Sequence, residues 1–432
     1  MLLIYTHKIT PRFTYTLKQI FTRILGVEIG FTTKVEDFIK HSGAKITYTK
    51  KPLQNEFFVR STELLFEQGI NDIPIKVEDW EGVPCFFSSG EQSTIPFDVF
   101  AASFYLLSRY EEYLPHMKDM HGRFPPRESI AFQKGFLNRP VVDIWAYKLL
   151  AKLKLKFPDL VFKERKYGYT SILDVTTSHS FAHRNFLRST AGFFLDLARL
   201  SFSRVFKRVV VWFNPKKDPF NNYAYLIDLH KKYKVKSKFF FQFARYSTFD
   251  KNISTTNNKF RFLIKSIADY SEVALVASYS SFSDTEVLKR EKKDLTSVVN
   301  RPVNESRLRY NRVDVPDTYR NLVNAEFTDD FTMGYTHQIG FRAGTCTCFY
   351  FYDINLEVQQ PIRVHPFAIH DYAFINFNNR EEILRQILNI HQEIKQVNGL
   401  LITIFSIELL GGEHKVDWKK LYESILKNFN GE

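Results

Sequence analysis

Four short runs from residue 173 onward end an apolar stretch with side chains able to carry a proton, a charge or a hydrogen bond. They are Leu173-Asp174-Val175-Thr176, Val276-Ala277-Ser278-Tyr279, Phe341-Arg342-Ala343-Gly344 and Phe405-Ser406-Ile407-Glu408. A carboxylate in such a place can act as general acid or base or ligate a metal, and an arginine can orient it through a charged hydrogen bond. Asp371, in HPFAIHDYAF, is a third carboxylate of this kind beside Asp174 and Glu408. His179 and His183 stand four residues apart in TTSHSFAHR. On a helix that spacing sets both imidazoles on one face, where with Asp174 they could hold zinc or another divalent ion. The plainer reading makes them surface or hydrogen-bonding residues at the start of the helix after the first strand, and H-x-x-x-H alone favours it. His365 and His370, beside Asp371, are read likewise as solvent-facing loop histidines. Cys346 and Cys348, in CTCFYFY, are read as small packing residues on one face of a strand.

Regular elements must bring these runs together. From Tyr167 onward, strand and helix patterns alternate. Strands are read at 169–175, 238–243, 272–278, around 340–341 and at 400–407, with helices at 186–202, 221–233, 259–269, 284–295, 316–324, 380–398 and 418–429. One strand and one helix in turn predict parallel strands with crossover helices, an α/β barrel, closed or incomplete, with its functional residues at the C-terminal strand ends. The first part mixes extended runs at 2–5 and 45–48 with helices at 12–25, 33–41, 96–115 and 141–155. The charged, Pro-containing run 154–166 marks the boundary between a smaller α/β domain, residues 1–165, and the barrel, residues 166–432. The apolar and basic segment 191–213 is read as a helix plus a barrel strand, in preference to a helix lying on a membrane. Its cluster Arg199, Arg204, Lys207 and Arg208 alternates with Leu200, Phe202, Val205 and Phe206, the pattern of an amphipathic surface helix.

With its strand-end runs the chain resembles the polysaccharide deacetylases of the NodB-homology type, carbohydrate esterase family 4, and more closely a bacterial branch with an extra N-terminal domain. The likeness covers nearly the whole chain. It includes FDVFAASFYLLSRYEEYLP, HGRFPPRESIAF and FLNRPVVDIW in the first domain, and RLRYNRVDVPDTYRNL and DDFTMGYTHQIGFRAGTCTCFYFYDINLE in the second. The resemblance implies carbohydrate metabolism. Such enzymes use a divalent metal, usually zinc, held by an aspartate and two histidines, which polarises an acetamide carbonyl and activates water. A second aspartate acts as base, a late histidine as acid, and an arginine orients the base.

Carried over position by position, the pattern is broken three times. Thr176 stands where relatives have the second aspartate, Val276 where they have a metal-binding histidine, and Ser406 where they have the late histidine. Asp174, Arg342, Asp371 and Glu408 are retained. The resemblance therefore implies the fold without its metal-dependent activity, needing no cofactor and still binding an N-acetylated or acidic polysaccharide, with Tyr279 and Arg342 in contact with it. One alternative is an active hydrolase of N-acetylated glycans using a rearranged metal site at Asp174, His179 and His183, with Arg342 and Asp371. Another is a structural partner in surface-polysaccharide assembly, acting through the first domain.

Composition agrees with a globular protein. The 432 residues are 44% hydrophobic and 25% charged, which excludes a disordered or low-complexity chain. Forty-three Phe and 22 Tyr supply aromatic faces that suit packing and sugars. The net charge of +13 draws polyanions, acidic glycans or an anionic membrane face. The basic residues are dispersed and accompany no nucleic-acid-binding pattern, so no nucleic-acid partner is expected. Three cysteines support neither a disulfide framework nor a four-ligand zinc site. With no signal-peptide pattern and no apolar run of transmembrane length, the expectation is a cytoplasmic protein, or one brought to the envelope by a partner.

Overall fold

Parallel strands covered on both faces are written as nearly unbroken apolar runs, and LLITIFS at 400–406 is one of these. A computed structural model of the protein describes residues 1–183 and 186–429. In the first part, β1 (Leu2–Thr6), β2 (Ile29–Thr32), β3 (Lys45–Thr49) and β4 (Phe57–Arg60) form a parallel sheet in the order β2-β1-β3-β4. A short antiparallel ribbon follows, made of β5 (Glu78–Trp80) and β6 (Val83–Cys85). The second part contributes β7 (Gly168–Val175), β8 (Lys236–Gln242), β9 (Glu272–Ala277), β10 (Glu305–Leu308), β11 (Asp329–Asp330), β12 (Phe349–Asp353), β13 (Val358–Val364), β14 (Ile369–His370) and β15 (Leu400–Ser406). These nine lie in one sheet in the order β12-β13-β11-β10-β9-β8-β7-β15-β14. All its pairings are parallel except β12 with β13.

The ladder is open, with β12 and β14 as its edges. Backbone bonds from the chain after β13 run to β11, to the residues after it and to β15: His365 N–H donates to Asp330 O (2.8 Å), Phe367 N–H to Met333 O (3.1 Å) and Ala368 N–H to Ile402 O (3.3 Å). One face of the sheet packs an apolar layer that includes Ile172, Phe240, Val276, Phe331, Phe367 and Ile404. The crossover helices start where short polar side chains take up free N–H groups, as Asn257, Asp284 and Asn379 do.

Four strands expected from the sequence form within about two residues of their predicted bounds. The strand expected around Gly340 does not. Residues 340–348 are irregular because their backbone is bonded to the first part of the chain: Phe341 N–H donates to Leu137 O (2.8 Å), and Val142 N–H to Gly344 O (3.0 Å). Gly340 has φ +125°, and a Cβ there would lie 2.6 Å from Leu137 O. Cys346 and Cys348 consequently precede β12 and do not share a strand face. The segment 191–213 also differs from expectation. It belongs to two helices, Phe186–Ala198 and Phe202–Phe213, tied together by Arg208 on Asp196 (2.6 Å) and by Trp212 on Ser189 (2.9 Å).

The two parts share one continuous hydrophobic core. Tyr15 and Phe104 of the first part meet Tyr352 of the second, with ring centroids 5.0 and 5.2 Å apart. Polar groups buried along this seam are paired across it, as burial demands. Asp143 accepts from Thr345 Oγ1 (2.6 Å) and Cys346 N–H (3.0 Å), and pairs with Arg165 (2.7 Å). Glu357 pairs with Arg12, whose Nε lies 2.9 Å from its carboxylate. The runs YEEYLP, PVVDIW and GFRAGT meet at the seam, Glu112 on Arg342 and Asp143 on Thr345.

Candidate functional site

At the C-terminal ends of β7, β10 and β15 lies a cavity of about 310 Å³ lined by Asp174, Thr176, Arg307, Tyr310, Ser406 and Glu408, among others. Strand register explains the convergence. Asp174 is paired with Ser406 on β15, and Arg307 with Val276 on β9. Arg307 is 2% exposed, and its Nη2 donates to Asn311 Oδ1 (2.6 Å) and lies 3.6 Å from Asp174 Oδ2. Among the described residues its Nε and Nη1 find no hydrogen-bond partner, and neither does Asp174 Oδ1. A buried guanidinium with two unused donors is costly unless something else satisfies it.

Glu408 accepts a hydrogen bond from Thr176 Oγ1 (2.5 Å). Burial raises its carboxyl, and Thr176 and the Arg309 guanidinium only partly offset this. Asp371 is fully buried and takes up Ser406 N–H (2.5 Å), Ser406 Oγ (3.2 Å), Tyr372 N–H (2.8 Å) and His370 Nδ1 (2.8 Å). Ser406 and His370 therefore both bond to one carboxylate, an arrangement that positions a loop and does not align a serine with an imidazole base.

The first domain supplies part of the wall. His121 and Arg123 line the cavity, and His121 stacks on Tyr310 at 4.7 Å. Arg123 donates to Tyr310 O (2.6 Å) and Thr336 Oγ1 (3.2 Å). Tyr310 and Asn311 have φ of +59° and +52°, a strained conformation for residues with a Cβ that sets the Tyr310 ring at the mouth. Beyond it, Tyr279 stacks on Phe249 at 4.1 Å and is covered by the Arg312 guanidinium at 4.1 Å. Burial, with Arg123 nearby, lowers the His121 pKa, and burial lowers that of His337. Arg123, Arg307 and Arg309 thus face two carboxylates, of which Glu408 resists ionisation.

Of the residues expected from the sequence, Asp174 and Glu408 line the cavity, Asp371 braces it, and Tyr279 stands in the aromatic group at its mouth. Arg342 does not join them. Its Nε and Nη2 clamp Glu112 of the first domain (2.8 and 2.7 Å), and it borders a separate cavity of about 140 Å³. Nor do His179 and His183 start a helix: residues 176–183 form bends and a turn, held by Asp218, which accepts N–H groups from Ser180, Phe181 and Ala182. His183 borders a different cleft from Asp174. His365 and His370 are not solvent-facing, since His365 bonds Asp329 (2.7 Å) and stacks on Phe331, while His370 is buried against Asp371. Reasoning from sequence passed over Arg307, Arg309, Tyr310, His121 and Arg123. Their signal was the basic and aromatic alternation of RLRYNR and HGRF.

The residues at the strand ends do not fit the metal that the deacetylase resemblance implies. Val276 is part of the apolar layer, Thr176 and Ser406 offer only hydroxyls, and the cation beside Asp174 is Arg307. Among the described residues no three His, Cys, Asp or Glu side chains come together in a way that could hold a metal ion.

Residues 2–158 match a protein-family model described as a family of unknown function (DUF7033). A comparison with curated proteins finds no match. Solved structures similar to the chain include a protein of Mycobacterium smegmatis assigned as a polysaccharide deacetylase, with 12% identity, TM-score 0.39, and 63% of this chain and 86% of that one covered. A polysaccharide deacetylase of Bacillus cereus gives 11% identity and TM-score 0.31 over 61% and 86%. The allantoinase PuuE gives 11% identity and TM-score 0.38 over 61% and 83%. These neighbours have a NodB-like fold, and the likeness is remote.

Proposed function

We propose that this protein is a deacetylase-like protein that has lost the metal-dependent reaction and binds a saccharide bearing a carboxylate at the strand-end cavity. The observation that carries this reading is Arg307, a buried guanidinium with two nitrogens that find no partner among the described residues, on a cavity that Arg123 and Arg309 also line. A planar carboxylate matches the fork geometry of a guanidinium, and the low-dielectric setting strengthens the pairing. The ring of Tyr310 with His121, and the Tyr279–Phe249 stack beyond it, offer apolar faces for the C–H side of a sugar ring. A rearranged zinc site at Asp174, His179 and His183 has less support, because His183 and Asp174 border different cavities.

Calorimetric titration with short uronic-acid oligomers and with neutral N-acetylglucosamine oligomers tests the reading. The uronate is expected to bind, and Arg307→Gln to weaken it by at least about tenfold, equivalent to about 1.4 kcal/mol. Arg309→Gln, at a less buried position, guards against a folding defect and is expected to act in the same direction. Equal affinity for the neutral oligomer, or affinity unchanged by both variants, would overturn the proposal.

A further inference from the structure

The helices Phe186–Ala198 and Phe202–Phe213 form a hairpin whose outer side is apolar and open to solvent. Phe194, Leu197, Leu200, Phe202, Phe206 and Phe213 are exposed by 41% to 87%. In the second helix, Phe202, Phe206 and Phe213 recur at helical spacing, so they form one stripe. The contacts that hold the hairpin are elsewhere. Asp196, its single acidic residue, is buried against Arg208 (2.6 Å) and lies 3.4 Å from Arg204, and Phe193 stacks on Trp212 at 5.5 Å. A patch this apolar on a protein's outside marks a surface that meets something.

Charge says what covers it. Residues 186–213 hold five basic side chains against that one buried acid, and exposed Lys216 and Lys217 follow directly. We propose that the hairpin docks on an anionic lipid bilayer, with the phenylalanine stripe below the headgroups and the exposed Arg199, Lys216 and Lys217 against lipid phosphates, while Arg204 and Lys207 are held by Asp196 and Glu413. Phenylalanine and leucine between lysines and arginines is the composition that lies in a membrane interface, whereas a basic protein partner would be repelled. None of the helices among the described residues is long and apolar enough to cross a membrane, so docking would be peripheral. The hairpin also forms a wall of a cleft of about 980 Å³ that reaches Glu408. Docking therefore brings the strand-end site to the bilayer surface. The proposal does not depend on the nature of the ligand there.

Co-sedimentation of the full chain with vesicles tests it, using phosphatidylcholine containing about a third phosphatidylglycerol, and phosphatidylcholine alone. Binding to the anionic vesicles is expected, with a shift of fluorescence to shorter wavelength from Trp212, and at least roughly tenfold weaker binding in about 0.5 M salt or to the neutral vesicles. The triple variant Phe202→Ser, Phe206→Ser, Phe213→Ser replaces exposed residues only, and should keep the circular dichroism of the native protein while losing binding by a similar factor. Absence of binding, or equal binding by the triple variant, would overturn the proposal. So would a concentration-dependent dimer, abolished by the triple variant, in a protein that ignores vesicles, because the stripe would then belong to a second copy of the chain.

Discussion

Replacing Glu112 with glutamine should be among the most damaging single changes in this protein, although Glu112 lies far from the strand-end cavity in sequence. Its carboxylate is almost fully buried, meets Arg342 through two bonds of 2.8 and 2.7 Å, and accepts a third from Arg109 Nε at 2.8 Å. Both guanidiniums are themselves buried, with side chains 1% exposed. Removing the charge leaves Arg342 without a carboxylate, while Arg109 keeps only Glu111 (2.7 Å). Breaking a buried pair by deleting one partner costs about 3–5 kcal/mol, against a total stability of about 5–15 kcal/mol. Urea unfolding followed by far-ultraviolet circular dichroism and by tryptophan fluorescence measures the loss. Burial alone would raise the Glu112 carboxyl, but Arg342 and Arg109 outweigh it and hold it below the usual range. A depressed carboxyl stabilises the fold above its unfolded pKa, and that contribution disappears as pH falls through the folded value. The gap between Glu112→Gln and the native protein should therefore be complete near neutrality and shrink below about pH 4. A loss under about 1 kcal/mol, or a first domain that melts separately in the native protein, would refute the idea that this pair locks a shared core.

Two further outcomes follow from other buried contacts. The triple variant Thr176→Asp, Val276→His, Ser406→His introduces the ligand types expected from the deacetylase resemblance, yet it should not take up stoichiometric zinc while the Arg307 guanidinium stands beside Asp174. Adding Arg307→Ala should permit uptake, and elemental analysis showing one zinc in the triple variant alone would remove Arg307 as the obstacle. Glu291, buried under the end of β9 and accepting Ser278 N–H at 3.0 Å, has its carboxyl pushed up to about 7, mainly by burial, with Asp250 adding to the rise. A carboxyl raised on folding favours the fold below its unfolded pKa and loses that advantage as pH rises through about 7. Glu291→Gln should thus gain of order 1–3 kcal/mol relative to the native protein between about pH 5 and about pH 8, and a pH-independent difference in thermal melting would count against it.

Much of the architecture could be read from local pattern. The strands β7, β8, β9 and β15 and the long helices between them carry their own periodicity and caps, so neighbours in sequence suffice to define them. Asp174, near the end of β7, and Glu408, in the short helix directly after β15, could be placed at the strand ends for the same reason. β10 to β13 were not. They are short or interrupted, and β11, with two residues, is a strand only because β10 and β13 flank it.

What the sequence by itself determined is the strands β7, β8, β9 and β15, the helices between them and the residue types at their ends, because periodicity and residue type are local properties. Which charge meets which was decided only by tertiary structure. Arg342 pairs with Glu112 because the chain after Gly340 is hydrogen-bonded to residues 137–142. Arg307, one arginine among many in the sequence, became the cation beside Asp174 because strand register sets β10 two places from β8 and three from β7. Electrostatic partnership depends on distances of a few ångströms between groups over a hundred residues apart, and only packing sets those distances.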